Sequence, residues 1–558
     1  MSLKRISLEE KFGNSIEKIN PFHNLPWIGS RDFLFQDSEK VKSLLIAIDQ
    51  PAWVILDNGD AFLTEKEGYI HTQDPSFTRF ERHGFLPAMP IESFGDPTFM
   101  QTYGTRYPLY GGAMANAIAS VEMVITMGKA GMMCSYGSAG VSPTRIEDAI
   151  QRIQKALPAD PYAINLIHSP NEPSLERRLV ELYLNYRIKV IEASAYMDLT
   201  YGLVHFRVAG LSRATDGSIH IGNQIIAKIS RKEVARKFMM PPSEDLLKQL
   251  LADGKVTEEQ AEMARHVSMA DDITVEADSG GHTDNRPLVG LIPAMTAIRN
   301  EIQSQMNYPQ PIRVGAGGGI ATPASALAAF MMGAAYLVTG SVNQACMEAG
   351  VSAHTRNLLA QADMADVIMA PAADMFEMGV RVQVLKRGSM FAMRASRLYE
   401  LYNHYPTIED IPAKDREKIE KTIFKRNLDE VWEETQSFFK ERDQKNLDRA
   451  YQDPHHKMAL IFRWYLGLSS RWSVTGETGR EMDYQIWCGP SMGAFNEWVK
   501  GTYLEIVENR KVVDINLQIL FGAAYLLRIR SLTAQGIKIP PELAMYYPNE
   551  SIKNKLNF

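Results

Sequence analysis

The chain has 558 residues, 45% of them hydrophobic and 23% charged, with a formal net charge of −6; that length calls for two or three domains, and the composition is that of an ordinary soluble protein. The mild acidity excludes a generalised attraction to nucleic acid or to an anionic membrane, so docking to an acidic partner would need a local basic patch. Three scattered cysteines, Cys134, Cys346 and Cys488, exclude a disulfide framework and a cysteine metal cluster; with no apolar run behind the basic residues of MSLKRISLEEKFGNSIEK and no window that reads as an uninterrupted membrane span, a cytoplasmic location is expected.

Residues 1–105 read as a small α+β cap punctuated by prolines, in which PAWVILDNGDAFLTEK places Asp57, Asn58, Gly59 and Asp60 between two apolar runs as a hairpin turn. From Tyr107 onward short β-type runs alternate with helical patterns, which is the sequence form of a parallel sheet built from βα units. Nine runs qualify as strands: 108–112, 131–137, 162–168, 188–194, 203–209, 223–229, 273–279, 312–317 and 335–341. A (β/α)8 TIM barrel needs one fewer. Between Ile229 and Ile273 the connection is too long to be ordinary and carries two amphipathic patterns separated by Pro241 and Pro242; extra helices there would cover the barrel mouth or meet a partner. After about Leu385 the β signal fades into charged helical windows and apolar aromatic ones. The expected α/β architecture is therefore a cap (1–105), a barrel (106–395) with a helical insertion at about 231–272, and a C-terminal helical domain (396–558). His455 and His456, in a charged run, read as surface residues, and WCGPSMGAFNEWVKG as a packed loop with aromatic anchors.

The candidate chemistry gathers at strand ends. In IRVGAGGGIATPASALAAFMMGAAYLVTGS, Gly317, Gly318 and Gly319 allow close approach of backbone to an anion, and Thr322 and Pro323 open a helix whose free N–H groups favour negative charge. The next strand delivers Gly340 and Ser341 one βα unit later, and two such loops at consecutive strand ends are how the last strands of a barrel hold a phosphate. After the first strand, Gly112, Ala113 and Met114 offer a small-residue edge for a planar ligand; Asn165 aims an amide from within the third. His282, freed by Gly280 and Gly281 and preceded by Glu276 and Asp278, is the best acid/base candidate among twelve histidines. Its alternative role is to hydrogen-bond a cofactor. HExxH, a CxxC pair and GxSxG are all absent, which leaves metalloprotease, zinc and serine-hydrolase readings, and any metal site, without support.

GGAMAN, KAGMMCSYGSAG, Asn165, DSGGH and the GAGGGI and TGS pair resemble the flavin-binding barrel shared by nitronate monooxygenases and FMN-dependent enoyl-thioester reductases. Within that group the chain most resembles the PfaD family, the separately encoded enoyl reductases of polyunsaturated-fatty-acid and trans-acyltransferase polyketide synthases. MAPAADMFEMGVRVQVLKRGSMFAMRASRLYELY, FRWYLGLSSRW and DYQIWCGPSMGAFNEWVKG extend the resemblance past the barrel, over most of residues 85–540. It implies an FMN-binding TIM barrel in which Gly112, Ala113, Met114 and Asn165 contact the flavin, Gly317, Gly318, Gly319, Gly340 and Ser341 hold its phosphate, Asp278, Gly280 and Gly281 belong to the cofactor site, and His282 faces the ring. Where nitronate-type barrels carry a glutamate two residues before Gly-Gly-His, this chain has Asp278, a shorter carboxylate.

The implied activity is reduction of α,β-unsaturated acyl thioesters with NADPH and FMN, His282 protonating the α-carbon. The implied partners are enoyl thioesters on acyl carrier protein and the polyketide or fatty acid synthase modules that carry them, with a homodimer left open and neither nucleic acid nor membrane involved. Arg231, Lys232, Arg236 and Lys237 offer the basic patch that an acidic carrier would need, or a partner for the NADPH phosphate. A nitronate-type flavin oxidase and a non-catalytic docking protein that retains the flavin fold are the competing expectations.

Overall fold

The computed structural model describes residues 4–5, 26–69, 71, 75–168 and 173–555. The chain's contacts divide it into two units, one of Met1–Phe94, Thr322–Met331 and Asn516–Phe558, the other of Gly95–Ala321 and Met332–Ile515.

In the larger unit eight parallel strands close into a barrel in sequence order: β1 (Leu109–Gly111), β2 (Met133–Tyr136), β3 (Ala163–Ile167), β4 (Val190–Ser194), β5 (Gln224–Ile229), β6 (Asp272–Glu276), β7 (Arg313–Gly317) and β8 (Leu337–Thr339). Closure comes from β8 on β1, with Leu337, Val338 and Thr339 opposite Leu109, Tyr110 and Gly111. Helices flank the strands on the outside, so almost every strand residue is buried and the strands read as apolar runs rather than alternating ones. One cluster of Phe99, Tyr110, Met133, Ile226, Tyr336 and Val338 forms part of this core. The Tyr110 and Tyr336 hydroxyls both meet Thr274 Oγ1, at 3.2 and 2.9 Å, which is how two phenols are accommodated among apolar neighbours.

The ninth expected strand, 203–209, is a helix, Tyr201–Ala209. Thr200 caps it by accepting from Leu203 N, and every residue from Gly202 to Val208 is buried. A helix buried on all sides has no polar face, so its sequence lacks the 3.6-residue period that would distinguish it from a buried strand. Arg207 is tolerated there because its guanidinium is bidentate to Asp271, at 2.7 and 3.2 Å, and Nε donates to Ser268 O. The long β5–β6 connection holds three helices rather than two, Lys232–Met239, Glu244–Ala252 and Glu258–Ala264, the third opened by a Thr257–Gln260 capping box.

Beyond β8 the sequence reading missed a hairpin, β9 (Val367–Pro371) and β10 (Arg381–Leu385). Gly281–His282 adds a short third strand to it, pairing with Gln383 and Val382 of β10. Helices dominate from there on, including Phe391–His404, Leu428–Arg442, Pro454–Thr475 and Ser491–Val499. His456 lies within the third of these and is 3% exposed, so it is a packed residue and not a surface one.

The smaller unit contains a six-stranded antiparallel sheet in the order Ile537–Lys538, Lys4–Arg5, Asp60–Thr64, Ala52–Asp57, Thr78–Leu86, Pro26–Gly29. The expected hairpin is present, its turn made by Asn58 and Gly59 at φ 50° and 86°, a pair of left-handed residues that matches the twist of the strands. Buried Arg528 ties the two ends of the chain together by donating to Leu44 O, Gln50 O and Pro87 O. It sits on Val512–Ala534, a helix long and apolar enough to cross a membrane by length and composition, though Asp514, Arg528 and Arg530 interrupt its apolar run as the sequence expectation requires; 94% of the relevant stretch is buried inside the protein, as in a core helix.

Candidate active site

The carboxyl ends of β7 and β8 are neighbours through the pairing of Gly317 with Val338. Gly318 and Gly319 follow at φ 80° and 78°, a conformation that strains any other residue. A Cβ on Gly318 would fall 2.7 Å from the Ala277 backbone, whereas Gly319 and, past β8, Gly340 have nothing within 4 Å of where a Cβ would stand. The two loops therefore leave open backbone at Gly319 and Gly340, and the Ser341 hydroxyl next to Gly340 accepts from Gly489 N at 3.3 Å. Open backbone at adjacent strand ends, with no side chain filling it, fits the phosphate of a mononucleotide.

The loop after β1 is fixed from both sides. Gly112 N donates to Thr339 O at 3.0 Å, Ala113 N donates to the Glu192 carboxylate at 3.0 Å, and the Met114 carbonyl lies so close to Gly137 that only glycine fits there. Asn165, 3% exposed, donates to Glu192 O and Ser194 Oγ, both at 2.9 Å, so its NH2 group is committed to β4. Glu192 is fully buried and pairs with Lys228 Nζ at 3.5 Å; Lys228 also reaches Glu276 at 3.0 Å. Burial pushes the Glu192 carboxyl up, against the pull of Lys228. Burial would lower the Lys228 ammonium, but Glu276 and Glu192 together hold it above its usual range. This Glu192, Lys228 and Glu276 cluster spans the mouth from β4 to β6, and only Glu276 figured in the sequence reading. Glutamate inside IKVIEAS and lysine inside NQIIAKI are single charges in apolar strand runs, a signal that could have been read as inward-pointing.

His282 reaches across to the β9–β10 hairpin, where Nε2 lies 3.2 Å from Asp374 Oδ1. Partial burial would lower its pKa; the hydrogen bond and charge of Asp374, with Glu276 further off, outweigh that and raise it. The ring is 40% exposed, open enough to meet a ligand. Asp278 does not face His282. Its Oδ1 accepts from Gln383 Nε2 at 2.8 Å and Asn285 Nδ2 at 2.9 Å, which secures the loop that carries Gly280, Gly281 and His282. The segment Trp487–Gly489 packs on that loop: a Cβ on Gly280 would lie 2.6 Å from Cys488 N, and Gly489 is the residue that donates to Ser341. The WCGPSMG motif thus joins the His282 loop to the β8 loop.

The expected basic patch is largely neutralised. Arg231 pairs with Asp284 at 3.1 Å, Arg236 with Glu301 at 2.7 Å and Lys237 with Asp198 at 2.7 Å, which leaves Lys232 as its unpaired member among the described residues.

Residues 405–484 match the family model of the inserted helical domain of [acyl-carrier-protein] S-malonyltransferase. The chain is 46% identical, over 88% of its length, to a polyunsaturated fatty acid synthase protein of Thraustochytrium sp., of which it covers 33%. It is 42% identical, over 83% of its length, to the polyketide biosynthesis protein PksE of Bacillus subtilis, covering 60% of that protein. It thus spans between a third and three fifths of these two relatives. A crystal structure of the enoyl reductase domain of MlnA, from the macrolactin biosynthesis cluster of Bacillus amyloliquefaciens, matches it with a TM-score of 0.76 at 37% identity, over 80% of this chain and 100% of that domain. Fold and site together define an α/β protein of the TIM-barrel class with its candidate site at the carboxyl ends of the strands. The chain belongs to the PfaD family, alongside the MlnA enoyl reductase domain.

Proposed function

We propose that the protein is a trans-acting enoyl reductase that uses FMN and NADPH to reduce α,β-unsaturated acyl thioesters borne on acyl carrier protein, in polyketide or polyunsaturated fatty acid synthesis. The observation that carries this reading is the open backbone at Gly319 and Gly340 on adjacent strand ends, joined through Gly489 and Ser341 to the loop of the His282–Asp374 pair. Identity to synthase proteins and to the MlnA domain supports it.

Gly317, Gly318, Gly319, Gly340 and Ser341 would hold the FMN phosphate, and Gly112, Ala113, Met114, Asn165, Gly280 and Gly281 its ring. When bound, the flavin supplies reversible hydride acceptance between the two substrates. Reduction of the double bond places hydride at the β-carbon and a proton at the α-carbon. His282 supplies that proton: with Nε2 committed to Asp374, the imidazolium carries the transferable proton on Nδ1, and the Asp374 carboxylate keeps the ring charged to a higher pH. Lys228 balances charge at the mouth, so that Glu192 can fix the Ala113 amide without an unpaired carboxylate beneath the substrate.

The test is anaerobic. NADPH should bleach the bound flavin's visible absorbance, and an enoyl thioester should restore it; Gly318→Asp, whose side chain would collide with Ala277, should abolish flavin retention. A wild-type protein that binds no flavin after being offered FMN would falsify the reading.

A further inference from the structure

A cavity of about 350 Å3 opens beside the β1 loop, lined by Asn116, Ala117, Glu122, Tyr136, Arg145, Asp148 and Arg152 among others. That volume is at the small end of ligand pockets, roughly 300–1,000 Å3. Its lining carries two arginines, Arg145 and Arg152, and two carboxylates, Glu122 and Asp148. Arg145 has no carboxylate partner among the described residues, and Arg152 has only Asp148 at 3.8 Å, an exposed pair. Tyr136, at the end of β2, is 3% exposed, lines the cavity, and its hydroxyl has no hydrogen-bond partner among the described residues. Burial pushes the Tyr136 phenol up, the charges of Arg145 and Arg152 pull it down, and that of Asp148 adds to the rise. The wall on the barrel side is strained: Asn116 and Ala117 stand at φ 58° and 59°, unusual for two successive residues that are not glycine. They are held there by Asn116 Nδ2 donating to Ser470 Oγ at 3.1 Å and Ala117 N donating to Gly137 O at 2.9 Å. The same short loop starts with Ala113 and Met114 at the barrel mouth, so cavity and mouth share one segment of backbone.

We propose that this cavity binds a phosphate ester, the 2′-phosphate end of the nicotinamide nucleotide, an inference that rests on the reductase reading. A dianionic tetrahedral group suits two guanidiniums and a phenol donor better than an acyl chain does, because an arginine fork matches phosphate oxygens while burial of an acyl chain would leave the cations desolvated. Glu122 offers an acceptor to a ribose hydroxyl. The cavity holds the phosphoribosyl end and not a whole dinucleotide; the remainder would cross the Ala113–Ala117 loop to reach the mouth. The phosphodiester of a pantetheine arm shares this chemistry and is the other source of such a group.

The experiment is calorimetric titration of the full chain with adenosine 2′,5′-bisphosphate and with adenosine 5′-monophosphate. The bisphosphate is expected to bind more tightly, and Arg145→Glu to weaken it by about tenfold or more, as loss of a charge-assisted phosphate contact does. Tyr136→Phe should weaken it by a smaller factor, and the steady-state preference for NADPH over NADH should fall in parallel with the Arg145→Glu loss. Equal affinity of wild type and both variants for the bisphosphate overturns the nucleotide assignment. If in that case the KM of a carrier-bound thioester rises in Arg145→Glu while that of an N-acetylcysteamine thioester does not, the phosphate belongs to pantetheine. If neither moves, the cavity is not a phosphate site. Arg145-dependent binding of the bisphosphate in a protein whose flavin NADPH does not bleach would sink the proposed function and leave the site standing.

Discussion

The two ends of the barrel handle buried charge in opposite ways. At the amino-terminal end, Arg313 and Asp272, 4% and 0% exposed, form a bidentate pair with both distances at 2.7 Å, and Arg313 Nη1 is completed by Thr102 Oγ1 at 2.9 Å. One cation meets one anion, and every donor has an acceptor. At the carboxyl-terminal end, Lys228 stands between two carboxylates, Glu192 and Glu276, the second still 24% exposed, and His282 and Asp374 form a further pair at the rim. The first arrangement is closed and reads as stability; the second leaves residual charge and open valence where a ligand enters. Barrels separate these tasks because the loops that follow the strands all leave at one end.

Substitution at each end should therefore produce different failures. The largest effect is expected for His282→Ala, which should slow thioester-dependent reoxidation of reduced flavin by about 10²–10⁴-fold while leaving thermal unfolding nearly unchanged. Stopped-flow traces at wild-type rates would remove His282 from proton delivery. Asp272→Ala should do the reverse. It strands Arg313 as an unpaired buried cation, a loss of about 3–5 kcal/mol in denaturant titration, with normal reoxidation in whatever fraction stays folded. If that variant unfolds normally but turns over poorly, the division of labour between the two ends is wrong.

A smaller effect is expected from Glu192→Gln. The amide keeps an acceptor for Ala113 N but presents NH2 or a neutral oxygen to Lys228, a mismatch of about 1–3 kcal/mol. Hydrogen exchange at the Ala113 amide should quicken and FMN should bind more weakly, measured by fluorescence of released flavin. Unchanged exchange would mean that the β1 loop is held by its backbone hydrogen bonds, such as Gly112 N to Thr339 O and Ala117 N to Gly137 O, without help from the Glu192 carboxylate.

What the sequence disclosed follows the same physics. The glycine loop was legible because its requirement is local: Gly318 and Gly319 must adopt positive φ, which glycine does without strain. Strand ends were legible where apolar runs meet Gly, Ser or Asn. The run 203–209 was misread because a helix with no solvent face leaves no period to detect. Asp374 was invisible because it depends on the pairing of Gly281–His282 with β10, a register set by contacts about a hundred residues apart. Glu192 and Lys228 look like isolated charges until the barrel closes. The insertion's basic residues looked like a docking patch because their partners Asp198, Asp284 and Glu301 come from other loops and helices.

The Asp374 pairing also gives the finest test of the mouth, through pH. Because His282 has its pKa raised above the ordinary 6.5, the imidazolium that can donate a proton is fully formed at low pH and is lost as pH rises through that raised value. The thioester half-reaction should accordingly be fastest on the acidic side and decline with increasing pH, while flavin reduction by NADPH, which takes no proton from His282, should show no matching limb. The same linkage makes the ion pair's contribution to stability present at low pH and absent above the raised value; with a ring this exposed, the rate profile is the sensitive readout. Asp374→Asn keeps a hydrogen-bond acceptor for Nε2 but removes the charge, so the imidazolium loses its stabilising partner and burial acts unopposed by it. The alkaline limb should move to lower pH, with the plateau rate below it nearly retained. A limb that stays where it was in Asp374→Asn yet disappears in His282→Ala would show that His282 donates without help from the hairpin. A limb present in both variants would belong to another acid at the mouth, of which Glu192 in its burial-raised state is the first to examine.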